Sequence, residues 1–296
     1  MTYSLVARDP ETGDLGVAVQ SHFFSVGSVV SWAEPGVGAV ATQSFVDVAY
    51  GPRGLELMRK GRSAVGALGE LVDQDEGERV RQVAMIDSGG RVAVHTGQGC
   101  IPEADHRVGT QMSAQANMMR NPGVPDAMVE AYSAMTGDLA DRLLAALDAA
   151  ESIGGDIRGR QSAALLIVGG KPTDTPWTER RMELRVEDHP EPLRELRRLV
   201  ALRRAYDVLE EGEELAARGE LPAAFPYYER AHAAAPDNLE LTFWFGLALA
   251  GAGRVEEAMP HLQRAFAAND GWAELVRRLI AIEMIPADAA QLLPEQ

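Results

Sequence analysis

Thr2 carries the most chemistry of any single position, because it follows Met1. An initiator methionine is expected to be removed before a residue as small as threonine. Removal leaves a free α-amine beside the Thr2 hydroxyl. Such an amine titrates near about 7.7–8.0, so a useful fraction is neutral at physiological pH. It can take the hydroxyl proton and make the oxygen a nucleophile. The bland alternative is that Met-Thr merely opens the chain and that Thr2 starts an edge strand.

Four further groups of residues could serve such a nucleophile. The run Gly154 to Ser162 (GGDIRGRQS) allows close backbone approach. There Asp156 is placed to orient an amine or to receive Arg158, or the run is only a tight helix-to-strand turn with an internal ion pair. The run Gln111 to Asn117 (QMSAQAN) offers amides that could donate to an oxyanion, Asn117 first among them. His22, in QSHFF after a strand, reads by itself as a satisfied strand-end histidine. His22 and Gln43 are candidate substrate contacts only through a resemblance to a known family, which implies polar partners near the second strand and the next one. His95 opens the segment HTGQGC at a strand end, which is a candidate wall or a surface hairpin exit. The catalytic set is therefore Thr2, Asp156 and Asn117, and the substrate-binding set is His22, Gln43, His95 and Arg158. The histidines are not at metal-ligand spacing, and no Gly-rich phosphate loop, HExxH or GxSxG occurs, so no metal and no cofactor is expected. Cys100 has no activating base nearby in sequence.

These residues need strands to hold them. Tyr3 to Arg8 and Leu15 to Gln20 flank the turn residues Asp9 to Asp14 and read as a hairpin. Two short strands follow near Ser28 to Trp32 and Gly38 to Gln43. Two helices come next, from Gly51 to Lys60 and from Ser63 to Val72, with Ser63 as cap. Strands return at Val80 to Asp87 and Arg91 to His95, with a further one near Val108 to Gln115. Helices over Pro125 to Met135 and Asp138 to Ser152 precede strands at Gln161 to Val168 and Met182 to Val186. Segregated blocks of this kind predict an α+β fold with antiparallel sheets stacked under helices. A four-layer αββα sandwich fits them best.

From about Pro190 the chain is nearly all helix-forming. Gly212, Leu215, Ala224 and Ala231 recur as Gly246, Leu249, Ala258 and Ala265, each 34 residues later. That is the tetratricopeptide period, and small residues at these places let paired helices pack closely. Pro236 closes the first unit, whereas Asp270 stands at the matching place in the second. The expected domains are 1–190 for the sandwich and 191–296 for an all-α, tetratricopeptide-like tail, with flanking helices as caps.

Lys plus Arg total 28 against 44 Asp plus Glu, a net charge of −16. Such a surface repels phosphate backbones and anionic membranes, so neither nucleic acid nor membrane is an expected partner. The one basic run, Arg194 to Arg204, alternates with Leu and Val at helical spacing and reads as a wet helix face. One cysteine excludes an internal disulfide framework. With no basic and apolar leader visible, the expected compartment is the cytoplasm. A homodimer is expected, with Phe23, Phe24 and Trp32 leaving apolar surface at a sheet edge.

The segments TYSLVARDPETGDLGVAVQSHFFSVGSVV, EPGVGAVATQS, GPRGLELM, HTG, QAN, GGDIRGRQSAALLIV and LRVEDHP together resemble the family catalogued as domain of unknown function 1028, over about residues 2 to 190. That family is placed among N-terminal-nucleophile hydrolase-like folds, so the resemblance implies an αββα sandwich and supplies no substrate. In such folds the first residue of the first strand is the nucleophile, which here corresponds to Thr2. Proteasome-type members also use a lysine near the second or third strand, but no lysine precedes Lys60. They carry an Asp before a late strand, and Asp156 is similarly placed. Two functions compete. The first is an amidohydrolase acting on a small amide or peptide bond, with Thr2 as nucleophile and its own amine as base. The second is a catalytically silent module for binding or assembly that meets a protein partner through its helical repeats. A peptidoglycan-associated role, known from the tails of some relatives, fits this repeat tail less well.

Overall fold

The computed structural model describes residues 2–294. The chain divides into two compact units, Met1–Leu199 and Val200–Gln296.

The first unit opens on the expected hairpin, β1 (Thr2–Arg8) and β2 (Leu15–Ser21). Asp9 builds its turn: one carboxylate oxygen accepts from the backbone N–H of Glu11 and Thr12, and Gly13 takes the left-handed conformation the turn requires, φ 82°. A strand was expected at Ser28 to Trp32. Instead there is a short helix, α1 (Gly27–Val30), and then a shorter strand, β3 (Ser31–Glu34). The valines suit a strand, but here the chain must cross from one sheet to the other. Gly27 passes so close to β9 (Ser162–Val168) that a Cβ on it would lie 2.5 Å from Ala164 Cβ.

Strand β4 (Gly38–Ser44) leads into α2 (Tyr50–Arg59) and α3 (Ala64–Asp73). Ser63 caps α3 by accepting from Gly66 N–H. Strands β5 (Arg81–Asp87) and β6 (Val92–Thr96) form the next hairpin. The single strand expected near Val108 to Gln115 is a hairpin, β7 (Asp105–Gly109) and β8 (Met112–Asn117). Its turn was hidden because a non-glycine residue, Gln111, supplies the left-handed step at φ 56°. Arg8 pins it there, with Nη1 donating to Gln111 Oε1 at 2.7 Å. Helices α4 (Val124–Ala134) and α5 (Leu139–Ser152) precede β9, and β10 (Arg180–Val186) completes the sheet.

Two antiparallel sheets result, in the orders β10-β9-β2-β1-β8-β7 and β3-β4-β5-β6. Helices α4 and α5 cover the outer face of the first, and α2 and α3 cover the second, which gives the α-β-β-α layering. Between the sheets, one end is apolar: Val6, Leu15, Val17, Val19, Ala39, Ala41, Ala84 and Ile86 are all fully buried. The other end is not, and it holds the residues of interest.

The second unit is helical: the later part of α6 (Pro192–Ala217), then α7 (Leu221–Ala234), α8 (Leu239–Gly251), α9 (Val255–Ala268) and α10 (Gly271–Ala281). The repeat is visible in its contacts. A Cβ on Gly212 would meet Tyr227 Cβ at 2.9 Å, the Ala224 carbonyl oxygen at 3.4 Å and Tyr228 Cε2 at 3.6 Å. A Cβ on Gly246 would meet Leu262 Cδ2 at 2.9 Å and His261 Cβ at 3.2 Å. Positions 261 and 262 lie 34 after 227 and 228. Ala224, Ala231, Ala258 and Ala265 are all buried.

Candidate functional site

Strand periodicity sorts the side chains of β1. Thr2, Ser4 and Val6 face the second sheet; Tyr3, Leu5 and Ala7 face the covering helices. In the ladder Thr2 lies between Ser21 of β2 and Asn117 of β8, and Ser4 lies opposite Gln115. Across the gap, Gln43 of β4 and Gln82 of β5 are paired neighbours. These residues form one buried polar layer. The side chains of Ser4, Ser21, Gln82 and Gln115 are fully enclosed, and Thr2 is 4% exposed.

Hydrogen bonds run through the layer without a break. Thr2 Oγ1 donates to Ser21 Oγ at 3.1 Å. The Gln43 Nε2 amide donates to Thr2 O at 3.2 Å, to Gln115 O at 3.3 Å and to Gln82 Oε1 at 2.7 Å. Gln82 Oε1 also accepts from Asn117 Nδ2 at 2.9 Å, and that amide lies 3.4 Å from Thr2 O. Ser4 Oγ donates to Gln43 Oε1 and accepts from Gln115 Nε2. Gln82 Nε2 continues to Ala116 O and to Thr96 Oγ1, and Thr96 meets His106 Nδ1 at 2.9 Å. Burial lowers the His106 pKa, so the ring stays neutral at the far end of this chain. The carbonyl of Thr2 is thus gripped from two directions, which fixes the direction of β1 at its first residue.

Asp156 lies past the start of β1, two positions beyond Thr2 along the line of β8. Its backbone bridges Met119, two positions after Asn117. Its carboxylate accepts from the backbone N–H of His22, the residue after Ser21, at 3.0 Å. Arg158 closes on it, with the backbone N–H and Nε donating to Oδ1 and Nη2 donating to Oδ2 at 2.9 Å. The Asp156 side chain is fully enclosed. A buried carboxylate needs such partners, because alone it would protonate or destabilise the fold. The loop is held at both ends from the opposite face of the sheet. There Tyr3 Oη donates to Glu151 Oε1 at 2.6 Å, and Glu151 also pairs with Arg160. Burial first, then the Glu151 charge, raises the Tyr3 pKa well above its ordinary value, so Tyr3 is a donor at every relevant pH.

The structure brings Thr2, Asn117 and Gln43 into one network and sets Asp156, Arg158 and His22 against its edge. His22 Nδ1 meets Arg160 O at 3.2 Å. His95 is not among them. Its neighbour Thr96 faces the polar layer, so His95 faces the other side of β6, where Nε2 contacts Glu78. Ser4, Ser21 and Gln82 were not singled out from sequence, and Gln115 and Thr96 were included only within the runs QMSAQAN and HTGQGC.

Beside this layer, a cleft of about 440 Å³ lies between the segments 97–105 and 119–125, with Thr96 and Met119 in its wall. Three non-glycine residues adopt left-handed backbone where chain segments leave this end of the sandwich: Ser25 (φ 57°), Ser44 (φ 72°) and Met118 (φ 56°). Strain of this kind concentrates at functional sites. Among the described residues, no cluster of three or more His, Cys, Asp or Glu side chains forms a metal-holding group.

Residues 2–196 match a family described as a family of unknown function, DUF1028. Residues 215–282 match a tetratricopeptide repeat family. A crystal structure of protein SPO2555 from Silicibacter pomeroyi, itself assigned to DUF1028, is 32% identical to this chain. The match covers 67% of this chain and 87% of that one, with a TM-score of 0.60. No curated protein matches.

Proposed function

Because the chain belongs to the DUF1028 family, whose description names no activity, its chemistry has to be argued from the polar end of the sandwich, and we propose that this end is the centre of an amidohydrolase with Thr2 as nucleophile. One observation carries the reading: Thr2 is the first residue of a central strand and is held inside a layer of hydrogen-bonding side chains, with a buried carboxylate past the start of that strand. The proposal requires the bond before Thr2 to be cleaved, so that its α-amine is free. Met1 lies outside the described residues.

The freed amine accepts the Thr2 hydroxyl proton as Oγ1 adds to the amide carbonyl carbon. The ammonium then returns that proton to the leaving nitrogen, the C–N bond breaks, and an acyl ester of Thr2 remains. Water adds to the ester, its proton passes to the same amine, and the carboxylic acid leaves with the Thr2 hydroxyl restored. Gln43 and Asn117 position Thr2 through its carbonyl. We assign Asp156 to orient the amine. Arg158 keeps that carboxylate aimed through its bonds to both oxygens.

The test has two parts. Intact-mass analysis should show a chain that begins at Thr2, and an electrophile selective for N-terminal threonine should add one equivalent to it. Thr2→Ala should lose that adduct and all amide turnover while keeping its melting temperature within a few degrees. Asp156→Asn should slow labelling less. A mature chain with the bond before Thr2 intact sinks the reading.

A second reading has its own support. Thr2 is 4% exposed and its hydroxyl is already bonded to Ser21, which also suits a silent module. On that reading the chain assembles as a homodimer and the repeats dock a protein partner. Amides that neither label nor turn over in a correctly processed chain would favour it.

A further inference from the structure

The segments leaving the Thr2 end of the sandwich carry large apolar side chains that nothing among the described residues covers. Phe23 and Phe24 follow Ser21 and are 48% and 63% exposed. Phe45 stands two residues after Gln43 and is 54% exposed; Ile157 follows Asp156 and is 46% exposed. Three of the four are tied to the site by its own bonds, and Phe24 is the chain neighbour of Phe23. Phe23 O accepts from Ser162 Oγ, and Ser162 is paired with Ser21. Ile157 N–H donates to Met118 O. Phe45 O accepts from Arg81 Nη1 at the start of β5. Ser25 and Ser44, both left-handed, fix the turns that present the three rings. A single exposed Phe is ordinary; four apolar groups on three segments that leave one end of the sandwich are more than scattered exposure supplies.

Resting on the Thr2 reading above, we infer that this rim binds an apolar acyl group, so that the substrates are amides of medium-chain or aromatic acids. Two arguments select that occupant. The first is charge. Three of the nearby cations face an internal carboxylate, Arg158 with Asp156, Arg160 with Glu151 and Arg81 with Asp75, and a fourth, Arg120, donates to the Ile157 carbonyl. An anionic substrate would compete for these bonded cations on a chain of net charge −16, whereas a neutral apolar group leaves their contacts intact. The second is area. A phenylalanine covers about 150–250 Å² in all, so three half-exposed rings and one Ile offer on the order of 300–400 Å². That is roughly half of the ~800 Å² per partner that a stable protein interface uses. A chain of about eight to ten carbons matches it.

The experiment uses the full chain and two probes, the 4-nitroanilides of acetic and decanoic acid. Equilibrium dialysis against the Thr2→Ala protein measures binding alone, and release of 4-nitroaniline by the wild type measures turnover. The decanoyl probe should bind at least tenfold more tightly than the acetyl probe. Phe24→Ser and Phe45→Ser, both at exposed positions, should each cut that preference several-fold with an unchanged circular dichroism spectrum. Tight decanoyl binding without turnover would keep the rim and remove the nucleophile; equal turnover of both probes would keep the nucleophile and overturn the rim. Equal binding of the two probes overturns the inference. So does a wild-type dimer by sedimentation that Phe24→Ser converts to a monomer, because the rim would then belong to a second copy.

Discussion

The space between the two sheets is built in two ways. At one end, Val6, Val17, Ala84 and Ile86 fill it with apolar atoms. At the other, β1, β4 and β5 contribute Ser4, Gln43 and Gln82, β8 adds Asn117, and the filling is hydrogen-bonded amide. Burying amides gains little net stability even when every one is satisfied, and loses much when one is not. An apolar filling would hold the sheets together at least as well. The polar end is therefore explained by what it holds in place, which is the first residue of β1, and the apolar end by stability alone.

The sharpest way to break this contrast is to remove the hub of the polar end. Gln82 accepts from two amides and donates to Thr96 and Ala116. Gln82→Leu keeps the bulk but takes from the Gln43 and Asn117 amides their shared, shortest acceptor in a closed space and leaves them only the longer contacts to the Thr2 and Gln115 carbonyls. At roughly 1–3 kcal/mol for each buried group left unpaired, the expected loss is about 3 kcal/mol by urea unfolding. Labelling of Thr2 by an electrophile should fall with it, because the grip on the Thr2 carbonyl slackens. A loss below about 1 kcal/mol would mean that the network has slack and does not position Thr2.

The matching change at the apolar end is Ile86→Val. It deletes one methylene from a fully buried side chain, which costs about 1 kcal/mol. The rate of Thr2 labelling should not move. If it slows, the two ends are coupled through packing and the division drawn here fails.

The contrast also explains what could be read from sequence. The β1–β2 hairpin was legible because Asp9 and Gly13 do specific turn chemistry. The repeats were legible because a 34-residue period imposes the same contact at Gly212 and Gly246. Thr2, Asn117 and Gln43 were legible as candidates from their types and their places at strand ends. The layer that joins them was not. In MSAQAN, the alternation of Ser, Gln and Asn with Met and Ala looks like a strand with one wet face. Here both faces are covered, the apolar one by α4 and the polar one by the second sheet. A polar face turned to another polar face has the same pattern as one turned to water. His95 fails for a related reason: one residue of register decides which face a side chain takes, and Thr96 holds the inner position.

The smallest expected effect comes from a buried polar atom outside the layer. The Tyr132 side chain of α4 is fully buried, and its hydroxyl has no hydrogen-bond partner among the described residues. Its ring lies under the Arg142 guanidinium at 4.1 Å, a contact made by the π face and not by the oxygen. Burial pushes the Tyr132 pKa up to about 12, so the group is neutral throughout the working range. Removing the oxygen therefore takes away a desolvated dipole and no bond. Tyr132→Phe should leave stability unchanged or raise it by up to about 1 kcal/mol, with the same result at pH 6 and pH 8. Gln82→Leu deletes polar atoms from an equally closed place and should cost several times more in the opposite direction. If Tyr132→Phe instead destabilises the protein by 2 kcal/mol in the same urea titration, enclosed polar atoms matter everywhere in this fold, and the polar end of the sandwich loses its special standing.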